Sequence, residues 1–577
     1  MIFLPTSAKE LRERGWDSLD VILFTGDAYV DHPSFGAAVI GRTLEAQGYR
    51  VAIVPQPNWR DDLRDFKKLG APRLFFGVTS GSMDSMVNRY TANKRLRSAD
   101  AYTPDGRNDM RPDYAACVYA QALKSLFPQT PVVLGGIEAS LRRLTHYDYW
   151  QDALRPSILH ATRADLLVYG MGEKPILEIA RRLRSGEAAD ALTDIPQTAF
   201  LRRSDEGLPR EGSKTITLHS FEECRKSKAK FAENFVRIEE ESNKLHAATL
   251  RERVGDAVVV VNPPYPPMSE QELDASFDLP YTRLPHPRYK GKRISAYEMV
   301  KHSINIHRGC FGGCSFCTIS MHQGKLVASR SPQSVLEEVK KVSALPDFKG
   351  YLSDVGGPSA NMYRMQGKNP AACAKCARYS CLHPQRCANL NIDPAPLLDL
   401  YAKIRALPSI KKAFVSSGIR YDLFLSEHGF LDEASCEYFC TLLRHHVSGR
   451  LKVAPEHTAG ATLAAMRKPP YALFDALKRL FDAQNRDEHL RLQLIPYFIS
   501  SHPACTNADM QQLASITRRQ GFRLEQVQDF TPTPMTLSST MYYTGINPYT
   551  KEKIYVPRTR EEKLKQNSYF FWYKNQN

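Results

Sequence analysis

Arg308-Gly309-Cys310-Phe311-Gly312-Gly313-Cys314-Ser315-Phe316-Cys317 sets three cysteines in the spacing C-x3-C-x2-C. Cysteine thiolates are the usual ligands of iron–sulfur clusters, and a four-iron cluster normally takes four of them. A loop with three leaves one iron open to a substrate or cofactor, by the logic that gives a catalytic zinc its vacant position. Gly312 and Gly313 allow the loop to close tightly around a metal, because glycine adopts backbone angles that other residues avoid. The competing reading is a zinc knuckle, with His307 or His322 as a further ligand.

The flanking sequence reads as alternating strands and helices. Ser303 to His307 alternates as a strand should and leads straight into the loop. Ser331-Pro332 starts a helix that runs through Val342, with proline at its first position. A strand from Lys349 to Asp354 ends at Val355-Gly356-Gly357-Pro358. Further strands are expected at Lys412–Ser416, Arg450–Ala454, Leu490–Ile495 and Leu524–Gln528. Such repetition predicts a barrel or part-barrel with its chemistry at the C-terminal ends of the strands. Ser417, Arg420, Glu456, His457, Tyr497 and His502 fall just beyond those ends.

The N-terminal part has the same alternation. Strands at Asp20–Phe24, Arg50–Val54, Arg73–Val78, Pro131–Gly136 and Asp165–Gly170 are short and apolar after their first residue. That pattern predicts a parallel sheet covered on both faces, which binds ligands at its carboxyl edge. Residues 186–290 read as a connector, with a long charged helix over Phe221–Arg253, a strand over Asp256–Val261 and two proline-rich runs. The resulting divisions are 1–185, 186–290, 291–530 with a cysteine-rich insertion at 370–390, and a C-terminal extension at 531–577.

The insertion carries Cys373, Cys376, Cys381 and Cys387 within fifteen residues. Four thiolates satisfy a structural zinc or a complete four-iron cluster, and the spacing does not choose between them. The remaining cysteines, Cys117, Cys224, Cys436, Cys440 and Cys505, read as small buried hydrophobes.

Composition bounds the rest. The 577 residues exceed one core, and the hydrophobic fraction of 42% is that of a globular chain. Grouped cysteines without an export signal point to metal in a reducing, cytoplasmic setting rather than to disulfides. No apolar run approaches the roughly 20 residues that span a bilayer. The net charge of +16 is scattered, which suits a solvated basic surface, an anionic small molecule or RNA.

The cysteine loop closely resembles that of the radical S-adenosylmethionine (radical SAM) superfamily. The whole chain resembles the YgiQ-type radical SAM proteins through its N-terminal α/β part, both cysteine groups and Thr531-Pro532-Thr533-Pro534-Met535-Thr536. The resemblance implies a flavodoxin-like or cobalamin-binding-like domain followed by a partial (β/α)6 barrel. It implies a 4Fe-4S cluster on Cys310, Cys314 and Cys317, SAM on the open iron, and a 5′-deoxyadenosyl radical that takes hydrogen from a substrate. Phe316 would pack by the adenine, Gly356 and Gly357 would approach the SAM amino group, and Arg420 or Glu456 would meet its carboxylate or ribose. The family usually has Gly-Gly-Glu where this chain has Gly356-Gly357-Pro358. A reductant such as flavodoxin or ferredoxin is implied, and the substrate, small molecule or RNA, is not. Asp31-His32-Pro33-Ser34-Phe35-Gly36 departs from the cobalamin motif D-x-H-x-x-G, so cobalamin is not expected. The alternatives are methylthiotransferase-like modification with an auxiliary cluster on the second cysteine group, and a non-enzymatic zinc or nucleic-acid-binding protein.

Overall fold

A computed structural model describes residues 2–203 and 214–574. The chain divides into two compact units. One holds residues 1–266, 275–301 and 533–535; the other holds 267–274, 302–532 and 536–577.

The first unit is built on strands β1 (Val21–Thr25), β2 (Val51–Pro55), β3 (Phe75–Thr79), β4 (Val132–Leu134), β5 (Leu166–Val168), β6 (Thr198–Arg202), β7 (Thr215–Thr217), β8 (Thr249–Val254) and β9 (Ala257–Val261). Among the described residues they form one mixed sheet in the order β2-β1-β3-β4-β5-β6-β9-β8-β7. The first five are parallel, with Val21 opposite both Val51 and Phe75. Their apolar runs are buried on both faces, as a sheet covered by helices on each side requires. β1 lies between β2 and β3, so the order reverses there, at the place where doubly wound sheets open a ligand crevice.

Here that crevice is filled by charge. Arg111 is fully buried between Asp27, after β1, and Asp100, at 2.7 and 3.1 Å. Its guanidinium also donates to the Ser80 carbonyl after β3. Gly26 is required at this point, because a Cβ there would stand 2.2 Å from the Ser80 oxygen.

Residues 186–290 do more than connect. They supply β6 to β9 to the same sheet, with β9 antiparallel to both β6 and β8. The long helix expected over Phe221–Arg253 is broken into Phe221–Lys226 and Lys228–Ser242. Ser227 leaves helical geometry and caps the second helix with its own side chain. Thr249–Val254 is a strand, because its Leu250, Glu252 and Val254 face inward against the all-buried β9.

In the second unit, β10 (Ser303–Asn305) pairs in parallel with β12 (Asp354–Gly356), and β11 (Tyr351–Leu352) with β13 (Lys412–Ala413). β14 (Arg450–Glu456), β15 (Gln493–Ser500) and β16 (Gln526–Asp529) form a third parallel group. Helices Pro332–Ser343, Ala395–Arg405, Tyr471–Asp487 and Asn507–Arg519 lie between them in sequence. Val335, Val339, Leu397, Leu400, Phe474 and Leu477 from these helices pack on Ile304, Leu352, Val453 and Phe498 of the strands. The expected strand at Leu490–Ile495 begins three residues later and extends through Ser500. The expected helix from Pro332 is present, with the Ser331 hydroxyl accepting from Ser334 N at 3.1 Å.

Candidate functional site

The cysteine loop follows β10 and is held from several directions by the second unit. Cys310 N donates to Gly324 O at 3.2 Å, and the Ser320 hydroxyl donates to Cys310 O at 3.2 Å. Ser315 N donates to Met466 O, and the Ser315 hydroxyl lies 2.7 Å from that of Ser538. Ser538 lies in turn 2.6 Å from His502 Nε2, and Phe316 meets the His502 ring edge-on at 6.2 Å. The helix Leu537–Thr544 therefore clamps the loop through Ser538.

Gly312 and Gly313 are required for packing at this loop. A Cβ on Gly312 would stand 2.5 Å from Arg420 Nη1 and 3.4 Å from Cys310 Sγ. Gly313 has φ +62°, and a Cβ there would meet Tyr379 O at 2.6 Å and Ser380 Cβ at 2.7 Å. The first glycine admits an arginine to the thiols, and the second admits the other cysteine-bearing segment. Left-handed strain and backbone collision act together at Gly313, so Gly313→Ala should cost about 1–3 kcal/mol. Urea denaturation followed by circular dichroism measures this, and an unchanged midpoint contradicts the packing.

Arg420 Nη1 lies 3.4 Å from Cys314 Sγ. Asp422 takes the same guanidinium at 3.0 and 2.5 Å, and Asn361 clamps the Arg420 backbone through both its N–H and its carbonyl. Burial raises the Cys310 thiol, with the Arg420 charge opposing and Cys314 adding to the rise. Burial pushes Cys317 up to about 12, with the charges of Cys314, Cys310 and Glu456 acting in the same direction. Arg420 is thus the cation set beside Cys314 and Cys310. His307, one suggested zinc ligand, is buried with Nε2 2.9 Å from Ser359 O.

Beside Arg420 opens a cavity of about 350 Å³, lined by His383, Arg386, Arg420, Asp422, Arg467 and Lys468 among others. Glu456, at the end of β14, is buried beside the cavity's Lys468 at 3.6 Å. Burial raises its pKa, and Lys468 and Arg420 pull it down. Its φ of +70° is left-handed, a strained geometry for a residue with a side chain and one that collects at functional sites. Arg467 stacks over the Tyr379 ring at 3.4 Å. Three arginines and a lysine against Asp422 and Glu456 leave this region positive.

Gly356 and Gly357 close β12, but their Cα faces are filled. A Cβ would meet Ser417 Oγ at 2.8 Å on Gly356 and the His307 ring at 2.7 Å on Gly357. Of the polar residues expected at strand ends, Arg420 and Glu456 come to the cavity and the loop, while His457 and His502 are buried. Burial pushes His457 down to about 4 and His502 to about 3, so both rings are neutral at neutral pH. Sequence reasoning missed Asn361, Asp422, Ser315 and Ser538. Asp422 carried a signal, two residues beyond Arg420; the others act through contacts distant in sequence.

Of the remaining cysteines, Cys224 and Cys505 are buried as expected, whereas Cys117, Cys436 and Cys440 are only half-buried. In the first unit, Asp31 is committed to Arg42 Nε at 3.0 Å and Thr282 N at 2.9 Å. His32 is buried, with Nδ1 accepting from Ser34 N at 3.1 Å. Burial and the Arg283 charge keep its ring neutral.

The loop with Cys310 and Cys314 beside Arg420 lies in an α/β chain whose residues 3–303 match the radical SAM N-terminal family. Residues 525–577 match a domain of unknown function. A UPF0313 protein of Bacteroides thetaiotaomicron is 62% identical over 585 residues, covering 99% of this chain and 94% of the relative. The UPF0313 protein YgiQ of Salmonella typhimurium is 44% identical over 613 residues, covering 96% and 84%. The chain belongs to this UPF0313 (YgiQ) family of radical SAM enzymes. Among solved structures it resembles TsrM, a radical S-adenosylmethionine methyltransferase of Kitasatospora setae with cobalamin and a 4Fe-4S cluster bound. That likeness is 16% in sequence with a TM-score of 0.48, over 90% of this chain and 77% of TsrM.

Proposed function

We propose that Cys310, Cys314 and Cys317 hold a 4Fe-4S cluster with one open iron, and that the chain reductively cleaves SAM to abstract hydrogen from a substrate. The second unit would then be a partial (β/α)6 barrel, and the first a flavodoxin-like accessory domain. The observation that carries this reading is Arg420 at 3.4 Å from Cys314 Sγ, beside the basic cavity. When bound, the cluster supplies the electron that breaks a sulfonium C–S bond of SAM, giving methionine and the 5′-deoxyadenosyl radical.

This chain's residues then bind, orient and shield. Arg420 compensates thiolate charge, and Asp422 and Asn361 hold it in place. Lys468 and Arg467 give the cavity cations for the SAM carboxylate or an anionic substrate. Glu456 stands ready to accept from ribose hydroxyls, and Phe316, fixed against His502, offers its ring to the adenine. Gly356 and Gly357 offer backbone groups at the edge of β12 to the SAM amino group. An external one-electron donor of the flavodoxin or ferredoxin class and a reducing, cytoplasmic compartment go with this reading. No helix among the described residues is long and apolar enough to cross a membrane. In this reading the Asp31-His32 stretch is not a cobalamin ligand, because Asp31 is already paired and His32 is buried rather than presented on an open face.

The test is anaerobic reconstitution with iron and sulfide, reduction by dithionite, and assay of 5′-deoxyadenosine from SAM. The expected result is formation at many times the rate without protein. Iron–sulfur protein that forms no deoxyadenosine would overturn the reading.

A further inference from the structure

The second cysteine segment takes no part in the reading above. Cys373, Cys376, Cys381 and Cys387 are all free thiols, none deeply buried. Their segment reads CAKCARYSCLHPQRC, with few large apolar side chains from which to build a core of its own. A chain of that composition is held in shape by a crosslink or a metal rather than by burial. Yet its base is closely pinned. Lys368 N donates to Asn389 O at 2.7 Å, Asn369 N to Asn389 Oδ1 at 2.8 Å, and Asn391 N to Gln366 O at 2.9 Å. Within the loop, Cys376 N donates to Cys373 O, and Cys387 N to Cys381 O.

Two features point to a ligand for these thiols. First, N–H groups are aimed at sulfur: Arg378 N at Cys376 Sγ (3.4 Å) and Asn389 Nδ2 at Cys373 Sγ (3.3 Å). Second, Lys325 is buried, only 4% exposed, and no carboxylate pairs with it among the described residues. Its ammonium donates to Arg378 O at 2.5 Å and stands 4.0 Å from Cys376 Sγ. A buried ammonium without an anion is costly. Four thiolates around a doubly charged zinc or four-iron core carry a net negative charge, which is the missing counter-ion.

We propose that Cys373, Cys376, Cys381 and Cys387 form a second, four-thiolate metal centre with Lys325 as its buried counter-charge. The centre fixes one wall of the cavity, because His383 and Arg386 lie between its third and fourth ligands. It also bears on the first cysteine loop. Cys381 N donates to Phe311 O at 3.0 Å, and the Ser380 hydroxyl donates to Gly312 O at 2.7 Å. Cys381 and Cys387 pack with Cys310 on one small apolar cluster around Phe311, Met362 and Leu423. The assignment does not depend on SAM chemistry at the first loop.

The test compares metal and sulfide content in three full-length proteins prepared without air: wild type, the triple variant C310A/C314A/C317A, and the double variant C376S/C381S. The triple variant should keep either about four iron with sulfide per chain or about one zinc. Iron with sulfide identifies a cluster and zinc a structural ion, and either supports the centre. The double variant should lose that metal and keep the iron of the first loop. Hydrogen exchange of residues 368–391 in the triple variant should rise when a chelator strips the metal, a readout that holds even if the double variant does not fold. A folded triple variant without bound metal, or a double variant with wild-type content, overturns the proposal.

Discussion

Cys310→Ala is expected to bring 5′-deoxyadenosine formation down to the level seen without protein. The loop offers three thiolates and no spare. Its backbone is fixed at Cys310 by Gly324 O and Ser320, and the loop itself carries no fourth cysteine to take the vacated position. Two thiolates do not hold a four-iron core that normally takes three or four. Cys310 is half-buried, and losing its sulfur opens little space, so circular dichroism and the melting midpoint should stay close to wild type. Loss of iron with retained folding is the expected pair of results. Undiminished deoxyadenosine from the variant would mean that SAM is cleaved elsewhere.

Arg111→Met should have the largest effect on stability. Arg111 is fully buried and holds Asp27, just after β1, and Asp100, in the long connection that follows β3. Removing one partner of a buried ion pair leaves the other charge without compensation, which costs about 3–5 kcal/mol. Here two carboxylates are stranded, and burial already raises Asp27 against the pull of Arg111. Three of the four tryptophans, Trp16, Trp59 and Trp150, lie in the first unit, so their fluorescence in a urea titration reports on it. The transition should move to markedly lower urea. Adding Asp27→Asn should recover part of the loss by removing one stranded charge. A midpoint unchanged by Arg111→Met would show that the buried network does not hold the sheet edge.

The features most legible in sequence were those set by local pattern. Five apolar runs gave the five parallel strands of the first unit to within two residues, because burial on both faces leaves no polar position to blur them. The cysteine loop was legible because its three thiols lie within eight residues of sequence. β6 to β9 were harder to see. Thr215–Thr217 is three residues long, and the charged Thr249–Val254 looks helical until its inward alternation is paired with β9. The site's supporting contacts were legible least. Arg420 was found at a strand end, but its approach to Cys314 across a gap of 106 residues depends on Gly312 having no side chain. Lys325, set against Cys376 and Arg378, gave no local sign that its ammonium is buried. Gly312 and Gly313 were expected to let the loop close around a metal; what they admit in the structure is Arg420 and the Tyr379–Ser380 segment.

The claim on which the rest depends is that one iron at the Cys310 loop is open to SAM. Electron paramagnetic resonance of the reduced, reconstituted Cys376→Ser/Cys381→Ser protein, with and without SAM, examines that iron with the second cysteine group disabled. Binding at an open iron should change the g-values and line shape of the reduced cluster on SAM addition. A reduced cluster whose spectrum is identical at saturating SAM would contradict the account.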